Sequence, residues 1–126
     1  WTVSKFYWTG IPRSVQHRRL AAAGGAAGLP FRVPSSVDEL GFVTADELIS
    51  TVVHAPGQQA AKARALAAHA TQVTVCDGFF ALSNNLAQQL TATEYFRLVR
   101  GRPGGARDAD GRETDLFGGL FEADPA

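Results

Sequence analysis

Hydrophobic and polar positions along the chain change their period several times, and each change marks a new segment. The opening run WTVSKFYWTG crowds aromatic and β-branched residues together, which suits a pleated surface and predicts a strand over 5–9. Beyond Pro12, Ser14 is placed to cap a helix over 15–23, with Gly24 and Gly25 ending it. The next stretch, AAGLPFRVPSS, is small, Pro-rich and irregular, and reads as a surface connection.

The segment VDELGFVTADELISTVVHAPG carries two opposed signals. Thr44-Ala45-Asp46-Glu47 matches a capping box and predicts a helix start. Ile49, Thr51, Val52 and Val53 form a β-branched run that restricts χ1 and favours extended backbone. The β-branched run outweighs the box, so the expectation is a strand over 48–54 entered by a turn at Asp46-Glu47. After Pro56-Gly57, alanine, leucine, lysine and arginine predict a helix over 58–71. Ala63, Leu66 and Ala70 form its narrow buried stripe, and Ala65, His69 and Gln72 the stripe beside it. VTVCDGFFALSNNLAQQL predicts a short strand, a turn at Asp77-Gly78, and a polar helix or loop around 83–90. TATEYFRLVRG predicts a second strand over 94–99. Residues 102–112 are rich in glycine and charge and read as a mobile loop. TDLFGGLF reads as a short helix docking by Leu116, Phe117 and Leu120, and 122–126 as a frayed tail.

Composition narrows the classes. The 126 residues suit one compact domain or part of a longer polypeptide, and the first residue, Trp1, reads as an internal start. Twelve lysines and arginines balance 12 aspartates and glutamates, which argues against a nucleic-acid or membrane-surface partner. A lone cysteine, Cys76, cannot close an intramolecular disulfide, so the chain reads as cytoplasmic, with Cys76 a small hydrophobe. No apolar run approaches the ~20 residues that span a bilayer.

Candidate chemistry is sparse. His17, His54 and His69 lie in separate segments without the spacing of a metal-binding helix, and no Cys-x-x-Cys occurs. His17, beside Arg18 and Arg19, reads as a solvated face, and His69 as a helix-end residue whose ring bonds the last carbonyls. Ser83-Asn84-Asn85 reads as turn chemistry, because short amides bond their own backbone. The arginines over 97–102 and Arg107 face Asp108, Asp110 and Glu113 and read as a solvated, balanced surface. Gln72 carries the donors and acceptor that suit sugar hydroxyls, but spacing alone favours a free helix carbonyl as its partner. Phe42 fits a core position or a pocket wall, and ordinary burial favours core.

WTVSKFYWT, FVTADELISTVV, AAKARALAAHATQV, ALSNNLA and RETDLFGGL occur here in that order. In this the chain resembles the C-terminal part of the mycothiol-pathway deacetylases of actinobacteria, zinc-dependent N-acetylglucosaminyl-inositol deacetylases. The resemblance covers nearly the whole chain, and LAAHATQV with ETDLFGGL is its most specific pair. It implies an α/β fold in which residues 1–126 form the substrate-side portion of a Rossmann-like deacetylase, with short strands and two or three helices. It implies hydrolysis of the acetamide of N-acetylglucosaminyl-inositol to acetate and free amine. The family's zinc is held by residues of His-Pro-Asp-Asp and His-Pro-Asp-His stretches, expected in an N-terminal half before Trp1. This chain alone is then expected to bind no metal and to contain no catalytic residue. Two positions match substrate-facing residues of the family: Gln72 at the mouth of the active site and Phe42 on an apolar wall. Three alternatives stay open: the sister amidase that cleaves mycothiol conjugates, a stand-alone sugar-inositol binding module, and a degenerate paralogue kept as an interaction partner.

Overall fold

A computed structural model describes residues 1–121; the expected frayed tail at 122–126 lies outside the described residues. The element order is β1 (Phe6–Thr9), α1 (Arg13–Gly25), β2 (Thr51–His54), α2 (Gln59–Ala67), β3 (Thr74–Cys76), β4 (Phe79–Ala81), β5 (Gln88–Gln89) and β6 (Thr93–Arg100). Short 3-10 turns at Val37–Leu40, Asp46–Leu48 and Pro56–Gln58 link them. The result is a small mixed α/β arrangement of two antiparallel sheets, ordered β1-β6-β2 and β3-β4-β5.

The first sheet is built on β6, which lies between two strands distant in sequence. Tyr7 pairs with Leu98 and Thr9 with Phe96 on one side, while Thr51 pairs with Phe96 and His54 with Thr93 on the other. The predicted strands near both ends of the chain are thus present and meet. The second sheet turns at Asp77-Gly78, where both residues have positive φ (47° and 79°). That backbone is the two-residue hairpin turn for which Asp-Gly is suited. Its small core gathers Ala23 of α1, Phe31, Ala81 and Ala87.

Several expectations need correction. Ser14 makes no capping bond and lies inside α1, which starts one residue after Pro12. The Ser14 amide instead donates to the Asp46 carboxylate at 3.1 Å, so the helix start is satisfied from a distant turn. Bonding to Ser14 holds the Asp46 carboxyl below its usual range. α1 runs two residues beyond the expected 23 and ends on Gly24 and Gly25 as the sequence indicates, with Ala26 as its extended C-cap. Phe31 is buried, so the connection around it is not purely surface: Arg32 bonds the 85–87 segment on both sides and draws it inward.

The helix α2 closes at Ala67, and 68–72 are turns. Ala63 and Leu66 are half-buried, but Ala70 is exposed, so the predicted stripe stops with the helix. The His69 main-chain carbonyl, not its ring, holds the turn, accepting from the Gln72 and Val73 amides at 2.8 Å each. Around 83–90 there is a loop and the short β5 rather than a helix. Asn84 Oδ1 accepts from the Leu86 amide at 3.1 Å, and Asn85 takes φ +58°, a turn that ends helical propagation. TDLFGGLF forms turns, not a docking helix, and Phe117 is 64% exposed. Gly118 and Gly119 pack directly on Gly104 and Gly105, so close that a Cβ on Gly118 would lie 2.5 Å from the Gly104 carbonyl oxygen.

Glu113 is the largest correction. Expected on a solvated surface, it is fully buried, as is Thr51. Four donors converge on its carboxylate: Lys5 Nζ at 2.6 Å, the Gly104 amide at 2.8 Å, Thr51 Oγ1 at 2.9 Å and Tyr7 Oη at 3.1 Å. Lys5 Nζ also donates to the Gly118 carbonyl at 2.6 Å. Burial alone would raise the Glu113 pKa and lower that of Lys5. Their mutual pairing and the surrounding bonds outweigh it, holding the carboxyl below its usual range and the ammonium above its own. The Glu113 backbone also joins the free edge of β2, its carbonyl accepting from the Val52 amide and its amide donating to the Ser50 carbonyl.

Candidate functional site

A concavity of about 400 Å³ opens where the two sheets meet. β6 contributes Thr93, Glu94 and Tyr95, and β4 and β5 contribute Phe80 and Gln89. α1 adds Arg19, α2 adds Lys62, and the loop after Leu40 adds Gly41, Phe42 and Val43. A pocket of this size with aromatic walls and a few convergent polar groups is the usual form of a small-molecule site.

The loop that carries Phe42 is fixed at both ends. Gly41 takes φ +72°, which closes the 3-10 turn before it. Thr44 is clamped to the chain before α1: its amide donates to the Ile11 carbonyl and its carbonyl accepts from the Arg13 amide, both at 2.9 Å. Gly10 permits this approach, since a Cβ there would meet Thr44 Oγ1 at 2.7 Å. Phe42 is left 41% exposed on the cleft wall, so ordinary core burial does not describe it.

The polar side of the cleft is equally well tied. Gln59 in the first turn of α2 reaches both sides of the 90–92 segment, donating to the Leu90 carbonyl and accepting from the Ala92 amide, each at 3.0 Å. This brings Lys62, one helical turn on, over Thr91, to whose carbonyl its ammonium donates at 2.8 Å. The same ammonium is ion-paired with Glu94. Arg19 donates to Thr91 Oγ1 at 2.6 Å and lies over the Tyr95 ring, 6.0 Å from its centroid. Its Nε is buried without a hydrogen-bond partner. Burial pushes its pKa below the usual arginine value, opposed by Tyr95 and Glu94.

Of the two residues matched by resemblance, Phe42 lines this cleft. Gln72 is exposed in the turn after α2 and is not among the residues lining it. The two are therefore not brought together within this chain. Sequence reasoning missed Arg19, Lys62, Thr91 and Glu94. Arg19 was grouped with the solvated His17 and Arg18, and nothing local announces that residue 62 meets residue 94. Among the described residues, no group of three or more histidines, cysteines, aspartates or glutamates could hold a metal ion. No helix among the described residues is long and apolar enough to cross a membrane.

No family model matches the chain. Individual relatives do, each a 1D-myo-inositol 2-acetamido-2-deoxy-alpha-D-glucopyranoside deacetylase. That of Geodermatophilus obscurus is 48% identical over 123 residues, covering 95% of this chain and 40% of the relative. That of Thermomonospora curvata is 45% identical over 122 residues, with the same shares. That of Streptomyces scabiei is 44% identical over 126 residues, covering 95% of this chain and 37% of the relative. The chain thus spans about 40% of the length of the curated relatives it matches. Homology over nearly its whole length supports kinship with actinobacterial deacetylases of N-acetylglucosaminyl-inositol.

Proposed function

We propose that this chain is the C-terminal, substrate-side portion of a zinc-dependent deacetylase that releases acetate from N-acetylglucosaminyl-inositol in mycothiol biosynthesis. The observation that carries this reading is the 48% identity over 95% of the chain to a relative whose name states that reaction. The cleft fits the role, having an aromatic wall at Phe42 and Tyr95 and hydrogen-bonding groups opposite. In this reading the metal and the residues that activate water on it belong to the part of the enzyme outside these 126 residues. When bound there, zinc supplies a Lewis acid and a water of lowered pKa.

What this chain contributes is binding and orientation. Phe42 shields one face of the substrate from water, its loop held rigid by Gly41 and Thr44. Gln72, exposed beyond α2, offers a neutral amide to sugar hydroxyls at the boundary with the rest of the enzyme.

The test is the full-length parent protein, zinc-loaded, assayed for free amine released from N-acetylglucosaminyl-inositol. Activity is expected. Gln72→Ala is expected to raise KM or lower kcat/KM by ~1–2 kcal/mol, the worth of one hydrogen bond. No amine release from the zinc-loaded protein overturns the reading, and unchanged constants in Gln72→Ala remove Gln72 from it.

A further inference from the structure

The Lys62–Glu94 pair occupies an unusual place for a surface ion pair. It sits on the rim between the main cleft and a second, shallower hollow lined by Ala61, Ala65 and Ala92. Its two members come from different elements, α2 and β6, and the Gln59 clamp and the Thr91 carbonyl fix their relation. Both side chains remain partly open to solvent, 32% for Lys62 and 47% for Glu94. Such a pair adds little to stability.

Hydrogen-bonding capacity is left over on both partners. An ammonium has three donors, and Lys62 uses two, on the Thr91 carbonyl and on Glu94 Oε1. A carboxylate has two acceptor oxygens, and only Oε1 of Glu94 is engaged. One donor and one charged acceptor therefore stand side by side at the cleft, the two charges cancelling. Adjacent hydroxyls on a ring present the complementary set, one donating as its neighbour accepts. Phe42 and Tyr95 also line this cleft, residues of a type that suits the C–H face of such a ring.

We infer that Lys62 and Glu94 form the diol-reading contact of this cleft, Glu94 accepting from one ring hydroxyl and Lys62 donating to its neighbour. The ligand class is a neutral cyclic polyol, a cyclitol or a hexose. The inference rests on the functional reading above and goes further, assigning contacts to a pair that resemblance did not mark. Glu94 and Lys62 are specificity-determining residues in this scheme, and Arg19 holds Thr91 and Tyr95 in place beneath them.

The test is titration of the full-length parent protein, followed by amide NMR of this portion, with three probes: myo-inositol, N-acetylglucosamine and inorganic phosphate. One or both polyols are expected to shift the amides of Thr91, Glu94 and Tyr95 saturably in the millimolar range. The arm that responds tells whether the cyclitol or the hexose is read. Glu94→Gln keeps the shape and removes the charge, and it should weaken the polyol about fivefold to tenfold. Lys62→Met should do the same. Unchanged amide spectra away from the cleft establish that each variant is folded. Saturable binding of phosphate with no response to either polyol overturns the inference, making Arg19 an anion site. So does polyol binding that Glu94→Gln leaves unaltered, or no polyol response at all. The amine-release assay fails or succeeds separately: polyol binding through Glu94 by a chain whose zinc-loaded parent releases no amine overturns the deacetylase reading and leaves this contact standing.

Discussion

Replacing Glu113 with alanine should be among the costliest side-chain truncations this chain can undergo. Breaking a buried ion pair from one side costs ~3–5 kcal/mol, because the remaining charge stays buried without its partner. The structure places this case toward the upper end. The Lys5 side chain is 4% exposed and would keep the Gly118 carbonyl as hydrogen-bond acceptor and the Tyr7 ring 5.7 Å away, with no counter-charge. Three further donors would lose the carboxylate: the Gly104 amide, Thr51 Oγ1 and Tyr7 Oη. Two of them have long fallback contacts, Tyr7 to the Leu116 carbonyl at 3.4 Å and Thr51 to Ser50 Oγ at 3.3 Å, which moderates the loss. The expected cost is thus ~4 kcal/mol. Tyr7→Phe, which removes one neutral donor, should cost ~1 kcal/mol. Urea unfolding gives both values through the midpoint and its slope. Should Glu113→Ala leave too little folded chain to measure, Lys5→Met with Glu113→Leu removes both charges together and should recover part of the loss. A Glu113→Ala cost no larger than that of Tyr7→Phe, or a double variant no more stable than the single one, would refute the reasoning.

Stability should also fall in acid in a manner traceable to Glu113. Its folded pKa lies below the usual glutamate range, so the unfolded chain, titrating near ~4.3, takes up the proton first. The stabilisation is complete above that value and is lost as pH falls through the folded pKa. Glu113→Gln should flatten this part of the stability curve on the acid side of neutrality, and a slope equal to the parent's contradicts the assignment. Glycine positions should divide by surroundings: Gly104→Ala should cost ~1–3 kcal/mol, since its Cβ would lie 2.6 Å from the Gly119 Cα. Gly24→Ala, in α1 with nothing near, should instead stabilise by ~0.5–1 kcal/mol, and thermal melts of the two variants shifting the same way would contradict this.

What the sequence made legible was local. β1 and β6 showed themselves by aromatic and β-branched density, and β3 with the turn after it by Asp77-Gly78, because the residues that cause each are contiguous; β4 on the far side of that turn was not read. β2 was found only by letting Ile49 to Val53 outweigh the Thr44 capping box, and the Asp46 of that box instead serves the start of α1. Everything that depended on distant partners was missed. Glu113 lies in a Gly-rich, charged stretch indistinguishable from a solvated loop until Lys5, Tyr7 and Thr51 surround it. The Gly-Gly pairs at 104 and 118 look like flexible linkers singly, and only their mutual contact explains the absent helix. Of the candidate site, Phe42 was reached by resemblance rather than by pattern, and its loop's rigidity depends on Ile11 and Arg13. The rim pair was out of reach, since Lys62 sat in an ordinary helical repeat and Glu94 at the start of an ordinary strand.

The order of strands in the first sheet bears on how such a chain comes off the ribosome. β1 and β2 both pair with β6, which is synthesised after either, and the ammonium of Lys5 waits 108 residues for its counter-ion. Among these residues, the edge that β1 binds does not exist until β6 emerges. Zipping of this sheet is deferred for that interval, and the nascent polypeptide is an apt client for a hydrophobe-binding chaperone.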